Sequence, residues 1–422
     1  MIRNRHITER TYYMEEPGIE RIRSFRLRSH HLDAVYRKSD IGEAIGACGM
    51  QNTPPGAWEA ALYNRVPDCT LGEMEQLLYG DKTLLQAWSL RGAPVVFPTA
   101  ESDVFLSALI PRGEEPWIYT QGITLALDFL EMEMGDLSDM LLQVMPQLDD
   151  QVIVSKNALD ETIAQWMAPL LPSSKRGLWN RPSMYGSPDK QTVGGAAVSF
   201  LLRPCAFRGL VVFGERSGIS PAFTSYKNWT GHTLKADEES EKKLVRKYLH
   251  CYGPATIDMF VTWLGCSRSQ GRRMWESVSG EMEPVGVLGK EAFILSEDKE
   301  QLFADAVFSR ELLFLGAHDP FLDQRDRMIL QPDQSLHRQI WKLVTNPGAV
   351  IFRGEIIGVW TSKKKGKGME IKLSLWEDCH EMQKLRNLAE EYAGFRQQEL
   401  RLTRVDGGIY GNDRGRGTVP LS

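Results

Sequence analysis

Apolar residues recur at helical spacing over much of the chain, and runs of helices are followed by short stretches with the spacing of strands. The pattern is clearest in residues 238–305. There, LVRKYLHCYG, ATIDMFVTWLG and SRSQGRRMWESV predict three helices, with Gly265 ending the second and Ser267 capping the third. PVGVLGKEAFIL then predicts a hairpin that turns at Gly289-Lys290. Three helices followed by a hairpin within about sixty residues are typical of a winged helix-turn-helix unit.

The same order of elements occurs earlier in the chain. Residues 20–117 show helical spacing and then two strands on either side of Arg91-Gly92, and residues 118–237 repeat this order less plainly. Residues 306–402 instead contain strands separated by glycine turns, followed by one helix, and residues 403–422 are polar and glycine-rich, which predicts a disordered tail. The predicted fold class is α+β, with tandem winged helix-turn-helix units and a C-terminal β-rich domain.

Composition excludes some classes of protein. The hydrophobic content of 42% and charged content of 25% are ordinary for a globular protein, and no apolar run is long enough to predict a transmembrane helix. The N-terminus lacks the apolar core of a signal peptide, so we expect a cytoplasmic protein without membrane contact. The net charge of −5 counts against a dedicated nucleic-acid binder, although local clusters of positive charge matter more than the sum.

The cysteines and the acidic cluster both raise the question of a metal. The six cysteines include no CxxC pair, and the adjacent pairs His250-Cys251 and Cys379-His380 are poorly placed to ligate one tetrahedral ion. We therefore expect reduced, buried thiols. In HDPFLDQRDR the arginines favour ion pairing with the three aspartates over a metal site. The sequence thus predicts neither a metal nor an organic cofactor.

Several motifs resemble one family. The stretch LLQAWSLRGAPVVFP resembles the signature tW-x-[LM]-RGT-x-H-x-VP of the AlkZ-like winged-helix DNA glycosylases, and CGMQNTPP falls where that family has a Gln-x-Gln or Gln-x-Asp catalytic motif. Further matches are the helix-wing unit at 244–295, GAHDPFLDQRDR and GAVIFRGEIIGVWTSKKKGKGMEIKL. The resemblance covers residues 25–400.

The resemblance implies a monofunctional glycosylase that excises alkylated or crosslinked bases from double-stranded DNA. It also implies tandem winged helices around a concave surface for damaged duplex, and we expect a monomer that associates with the nucleoid when bound to DNA. Gln51 matches the first position of the motif, where it would place a water or the flipped nucleotide. Thr53 stands at the second position as a weaker partner, because a threonine cannot act as a general base at neutral pH. His318 and Asp319 are candidates for the missing role.

The same residues have other interpretations. Gln51 and Thr53 can cap a helix that starts at the following prolines. The protein can also be a non-catalytic winged-helix DNA-binding protein or transcriptional regulator, or a scaffold that binds protein. Trp88 and Arg91 are expected to support the site as residues of the wing.

Three groups of residues are candidates for DNA contact. The arginines lie on the third helix of the clearest unit, which is either a recognition helix or a scaffold with a basic face. The lysines surround a predicted hairpin turn and suit phosphate contact, or merely solubilise the turn. The histidine follows an arginine-rich helix and either reaches a lesion or packs. The candidates are Arg268, Arg272, Arg273, Lys363, Lys364, Lys365, Lys367 and His31.

Overall fold

The computed structural model describes residues 14–117, 122–185, 191–342, 345–366, 368–376, 381–405 and 418–420. Helices and strands alternate along these ranges, which confirms the mixed α+β class. Within them, every helix is too short or too polar to cross a membrane.

The first unit joins short helices to a three-stranded sheet. Its elements are α1 (Ile19–Ser29), α2 (Ile41–Gly46), β1 (Met50–Gln51), α3 (Ala57–Tyr63), α4 (Leu71–Glu75), β2 (Leu84–Trp88), β3 (Pro94–Pro98) and α5 (Ser102–Phe105). A capping box starts α4, since Thr70 Oγ1 accepts from the Glu73 amide and the Glu73 carboxylate accepts from the Thr70 amide. The predicted hairpin is β2–β3. Strand β1 was not predicted from the sequence, and it pairs with β3 to give a three-stranded sheet of order β1-β3-β2.

The second unit is mainly helical. Its elements are α6 (Thr124–Leu130), α7 (Met134–Val144), β4 (Ile153–Val154), α8 (Lys156–Met167), α9 (Ser173–Trp179), α10 (Val193–Phe207), β5 (Val212–Ser217), β6 (Ser220–Thr224) and α11 (Tyr226–Thr230). Strand β6 ends at Thr224, because Ser225 Oγ accepts from the Asn228 amide and caps α11. The sheet has the order β4-β6-β5.

The third unit follows its predicted order closely. Its elements are α12 (Ser240–Tyr252), α13 (Ile257–Leu264), α14 (Arg268–Glu276), β7 (Met282–Val287), β8 (Lys290–Leu295) and α15 (Lys299–Phe303). Gly265 ends α13 with a φ of 70°, and Ser267 caps α14. The hairpin turns one residue earlier than expected, at Leu288-Gly289, because both residues adopt the positive φ that a two-residue turn requires.

The C-terminal part is a six-stranded sheet with the order β14-β13-β12-β11-β10-β9. Its elements are β9 (Leu312–Leu315), α16 (His337–Ile340), β10 (Gly348–Phe352), β11 (Glu355–Lys365), β12 (Gly368–Leu375), α17 (Met382–Phe395), β13 (Glu399–Val405) and β14 (Thr418–Pro420). Helix α17 is the crossover between the parallel strands β12 and β13. The predicted disorder does not hold for 403–405 and 418–420, which form strands. The tail residues 406–417 and 421–422 lie outside the described ranges.

The first and third units share one hydrophobic core. Phe97 and Phe105 of the first unit belong to the same buried cluster as Tyr248, Trp263 and Trp275 of the third. Because one core contains side chains of both units, they form a single packed body.

Arg26 on α1 connects three parts of the chain. Its guanidinium, with no exposed side-chain surface, donates to the carbonyls of Gly253 and Pro254 in the third unit. It also donates to the Gln324 side chain and, through two bonds of 2.7 and 2.8 Å, to the Asp326 carboxylate. These bonds fix α1 against both the third unit and the C-terminal part.

Candidate active site

Gln51 lies on β1 at the edge of a cleft. Its strand partner is Val95 on β3, and the chain reaches β1 through Gly49, which has a φ of 70°. A Cβ at position 49 would lie 2.7 Å from a methyl carbon of Val95, so only glycine fits there. The buried Met50 anchors the strand and leaves the partly exposed Gln51 side chain on the other side.

The structure places the imidazole of His318 against the amide of Gln51. The distance from Gln51 Nε2 to His318 Nδ1 is 3.4 Å. Burial lowers the pKa of His318 although the nearby Asp323 carboxylate raises it, so the ring is neutral at neutral pH. A neutral ring can accept a hydrogen from Nε2, which leaves the amide oxygen of Gln51 free to accept a hydrogen bond from water. This pairing supports the sequence-based choice of His318 as the partner.

The cleft is bordered by three parts of the chain, and the space within it, open to solvent, is about 620 Å³. The polar and aromatic side chains around it include Gln51, Arg91, Tyr252, Trp263, His318 and Asp323. Asp323 provides a carboxylate 2.6 Å from the Arg91 guanidinium and 2.7 Å from that of Arg325. The cleft therefore combines an amide, a neutral imidazole and a carboxylate held by two arginines.

Asp319, the other acidic candidate, is not available to the cleft as a base. Both of its oxygens accept hydrogen bonds from Arg65, at 2.9 and 3.0 Å, and neither side chain is more than 1% exposed. One oxygen also accepts from the amide of Phe321. Asp319 thus fixes the loop that carries His318. The aspartates of this segment are all in ion pairs, but the predicted pairing with the arginines of the segment itself holds only for Asp323 with Arg325. The other partners are the distant Arg26, Arg65 and Arg91.

Thr53 is exposed and is followed by a cis peptide bond to Pro54. The alternative in which it caps a helix is wrong, because α3 begins at Ala57 and its N-cap is Gly56, without a capping side chain. Asn52 secures the turn instead, with its side-chain oxygen 2.7 Å from the Gly56 amide. Thr53 is not among the residues that border the cleft.

Two of the arginines on α14 are exposed. The Arg268 side chain is 81% exposed and forms a surface ion pair with Asp258. Arg272 is exposed and has no ion-pair partner among the described residues. Both can reach a phosphate, because a surface ion pair adds little stability and is easily exchanged.

Arg273 on the same helix is in a different environment. Its guanidinium forms two bonds to Glu115, at 2.7 and 2.9 Å, and one to Glu241. Next to it, Gln270 is buried and donates to the Leu109 carbonyl. This face of α14 packs on the first unit, so a phosphate would have to compete with two carboxylates for Arg273.

The lysines predicted at a hairpin turn lie at the end of β11. Lys363, Lys364 and Lys365 are exposed, and Lys365 pairs with Glu370 on β12 at 2.7 Å. Lys367 lies outside the described residues. The described lysines lie on the β11–β12 extension, the part of this strand pair beyond Trp360, where β11 no longer pairs with β10 and β12 also pairs with β13. Their exposure there suits contact with a phosphate backbone.

His31 is less accessible than the lysines. Its side chain is 12% exposed, lies 3.5 Å from Glu43 and meets Tyr36 edge to face. Burial and, next, the Arg65 charge lower its pKa, although Glu43 opposes both. These contacts fit the interpretation that His31 packs inside the protein, and contact of His31 with DNA stays a prediction.

Trp88 ends β2, and Arg91 lies in the turn between β2 and β3. Trp88 is buried and stacks on Phe223 of the second unit, with ring centroids 5.3 Å apart. Arg91 borders the cleft and pairs with Asp323, so it contacts the site directly. Sequence reasoning missed Asp323, Tyr252 and Trp263 as parts of the cleft, and the only local signal was the unusual density of charge around Asp323.

The chain is similar to known proteins over most of its length. The family described as DNA glycosylase AlkZ-like matches residues 46–395. A relative from Streptomyces sahachiroi, named interstrand DNA cross-link repair glycosylase, is 24% identical over 354 residues, which are 80% of this chain and 86% of the relative. The solved structure of Streptomyces sahachiroi DNA glycosylase AlkZ superposes with a TM-score of 0.71 at 19% identity, over 92% of this chain and all of that one.

Proposed function

We propose that this chain, which belongs to the AlkZ-like DNA glycosylase family, hydrolyses the N-glycosidic bond of alkylated bases in double-stranded DNA. The observation that carries the proposal is the contact between Gln51 and His318 in the cleft. The contact supports a role for Gln51 as a hydrogen-bond acceptor for water at the first motif position, and a role for His318 as the partner that the motif itself lacks in this chain.

Each group of the cleft has a role in this reaction. The target nucleotide enters the cleft after it leaves the duplex stack. Neutral His318 holds the amide of Gln51, and the amide oxygen orients a water toward the sugar carbon. Positive charge develops on the sugar as the bond to the base breaks, and the carboxylate of Asp323 in the same cleft stabilises it. Thr53 contributes through the shape of its turn and at most a hydrogen bond to water.

The fold supports the proposed binding of duplex DNA. The first three units are interpreted as tandem winged helices, since each contains helices followed by a hairpin. Exposed cations of α14 and of the β11–β12 extension provide phosphate contacts that do not depend on sequence. We propose a cytoplasmic monomer that recognises the lesion in damaged duplex through the deformation of the DNA.

The relative from Streptomyces is named for interstrand cross-links, and we propose that this chain accepts such lesions too. The cleft shares Asn346 and Pro347 with an outer groove, which lies between the turn at Pro54–Ala57 and strand β11. That groove encloses about 900 Å³ of space open to solvent. A base in the cleft that is still bonded to the opposite strand would have room to extend along it.

The test is release of free base from duplex DNA that contains N7-alkylguanine or N3-alkyladenine. We expect release by the wild type, loss of at least about a hundredfold in Gln51→Ala, and a smaller loss in His318→Ala, because removal of a hydrogen-bonding group from an active site typically costs this much. Gln383→Ala is the matched control, since Gln383 is an exposed glutamine on α17. Equal rates for Gln51→Ala and the wild type would contradict the proposal.

The second candidate is a DNA-binding protein without excision. The observation in its favour is that Thr53 replaces the second motif residue and does not border the cleft. No base release, together with salt-sensitive binding to one defined sequence, would indicate a regulator. Binding that does not depend on salt, or no DNA binding, would indicate a protein-binding scaffold.

A further inference from the structure

Behind β1 lies a group of side chains with no part in the proposed reaction. His30, Cys48 and Cys251 each offer one ligand atom, and these atoms lie within 4.8 Å of one another. They come from the end of α1, the connection between α2 and β1, and the end of α12. All three side chains are buried, with exposures of 1%, 6% and 0%.

We propose that His30, Cys48 and Cys251 bind one soft divalent cation of the zinc type. Two thiolates and one imidazole are a known donor set for zinc, whose fourth position is then taken by water. Cys48 borders the cleft, and water from the cleft can fill that position. The thiols lose two protons on binding, so that two thiolates balance the charge of the ion.

The present contacts of these side chains are weak. The Cys48 sulfur lies 3.8 Å from His30 Nδ1, and the Cys251 sulfur lies 3.7 and 3.5 Å from the carbonyls of Ser29 and Ala47. Thiols are poor hydrogen-bond donors and acceptors, so these contacts contribute little. Metal bonds would use the same inward-facing atoms and would be much stronger.

The surrounding charges permit a cation. Arg65 is a cation beside this group, and it donates to the His30 carbonyl at 2.7 Å. Its charge is neutralised by the two bonds to Asp319. A neutral centre of one divalent ion and two thiolates next to a neutral ion pair carries no net charge into the interior, which avoids the main cost of burying an ion.

A bound ion would affect mainly the start of β1. Cys48 precedes Gln51 by three positions, so an ion at this place ties the start of β1 to α1 and α12. The role is to position the strand that carries Gln51. The inference does not depend on the proposed glycosylase activity, because binding of the ion is measured directly.

The experiment uses the full chain, purified under reducing conditions, stripped with a chelator and titrated with Co²⁺ and then Zn²⁺ alone. We expect one equivalent of Co²⁺ with a sulfur-to-cobalt charge-transfer band that Zn²⁺ removes. Cys48→Ser and Cys251→Ser each weaken binding by at least about tenfold, since even loss of a group behind the ligands costs that much. Cys205→Ser is the matched control, because Cys205 is buried in the second unit away from this group.

Three results would overturn the inference. The first is the absence of the charge-transfer band in the wild type, and the second is equal binding in Cys48→Ser and Cys205→Ser. The third is isolation of the reduced-buffer protein with a Cys48–Cys251 disulfide, seen as a mass lower by two hydrogens. If a serine variant does not fold, X-ray absorption of the wild-type Zn²⁺ complex decides, and a shell without sulfur would refute the site.

Discussion

Replacing Asp319 by asparagine removes the negative partner of one buried ion pair. Asparagine keeps the shape, the acceptor for the Phe321 amide and one acceptor for Arg65. It removes the negative charge opposite a guanidinium whose side chain is 1% exposed, and it replaces the oxygen that accepts from Arg65 at 2.9 Å by an NH2 group that cannot accept. The variant therefore leaves a buried positive charge without its counter-ion.

The expected cost follows from that burial. Breaking a buried pair by removing one partner destabilises a protein by about 3–5 kcal/mol, and the remaining acceptor places Asp319→Asn near the lower end. At about 2–4 °C per kcal/mol for a cooperative unit of 150–250 residues, a loss of about 3 kcal/mol lowers the unfolding midpoint by about 6–12 °C.

The measurement is thermal unfolding by calorimetry at neutral pH and in the same buffer for every variant. Asp305→Asn is the matched control, because the Asp305 carboxylate in its pair with Arg21 is 97% exposed, and we expect no change in its midpoint. A midpoint for Asp319→Asn within one or two degrees of the control would refute the reasoning that this pair is desolvated.

Three further predictions concern a histidine of α12, two arginines of α14 and a lysine of β11. The hydrogen bond to Asp298 raises the pKa of His250 above its ordinary 6.5. The pair therefore stabilises the fold below pH 6.5, and this contribution disappears as the pH rises through the folded-state pKa, so the difference in unfolding midpoint between the wild type and His250→Gln should shrink with rising pH. Arg273→Ala should lower the unfolding midpoint without changing the salt dependence of DNA binding, whereas Arg272→Ala should weaken the salt dependence and leave the midpoint unchanged. A weaker salt dependence in Arg273→Ala alone would show that a different face of α14 meets the duplex. Lys364→Ala should reduce the slope of log K against log salt by about 1, and an unchanged slope would remove the β11–β12 extension from the interface.

Local signals explain which parts of the fold the sequence predicts. The capping box at Thr70 and the caps of the third unit depend on side chains within three residues of the helix they start, so they can be read directly from the chain. The strand β1 could not be predicted in this way. It contains two residues, and its pairing with β3 depends on the packing of Gly49 against Val95.

The sequence offered candidate residues for the site, but it did not show which of them meet. Gln51 follows from the resemblance, whereas its contact with His318 joins positions 267 residues apart. The group of His30, Cys48 and Cys251 also joins distant positions, because three elements bring these residues together. None of the three belongs to a stretch of sequence with the spacing of metal ligands. Spacing rules find sites within one loop or helix, and they do not find sites that form between units.

Arg26 has a consequence for how the chain folds as it is synthesised. The carboxylate that completes its bonds belongs to a residue 300 positions later, so at about 5–20 residues per second the first helix waits for about 15–60 seconds before its anion leaves the ribosome. During that time α1 has to remain solvated, and its arginines at positions 21, 23, 26 and 28 suit it to do so. A fragment that stops before residue 326 would leave this guanidinium without its carboxylate. The order of elements suggests separable units, but the N-terminal helix reaches its final state only after most of the protein has been made.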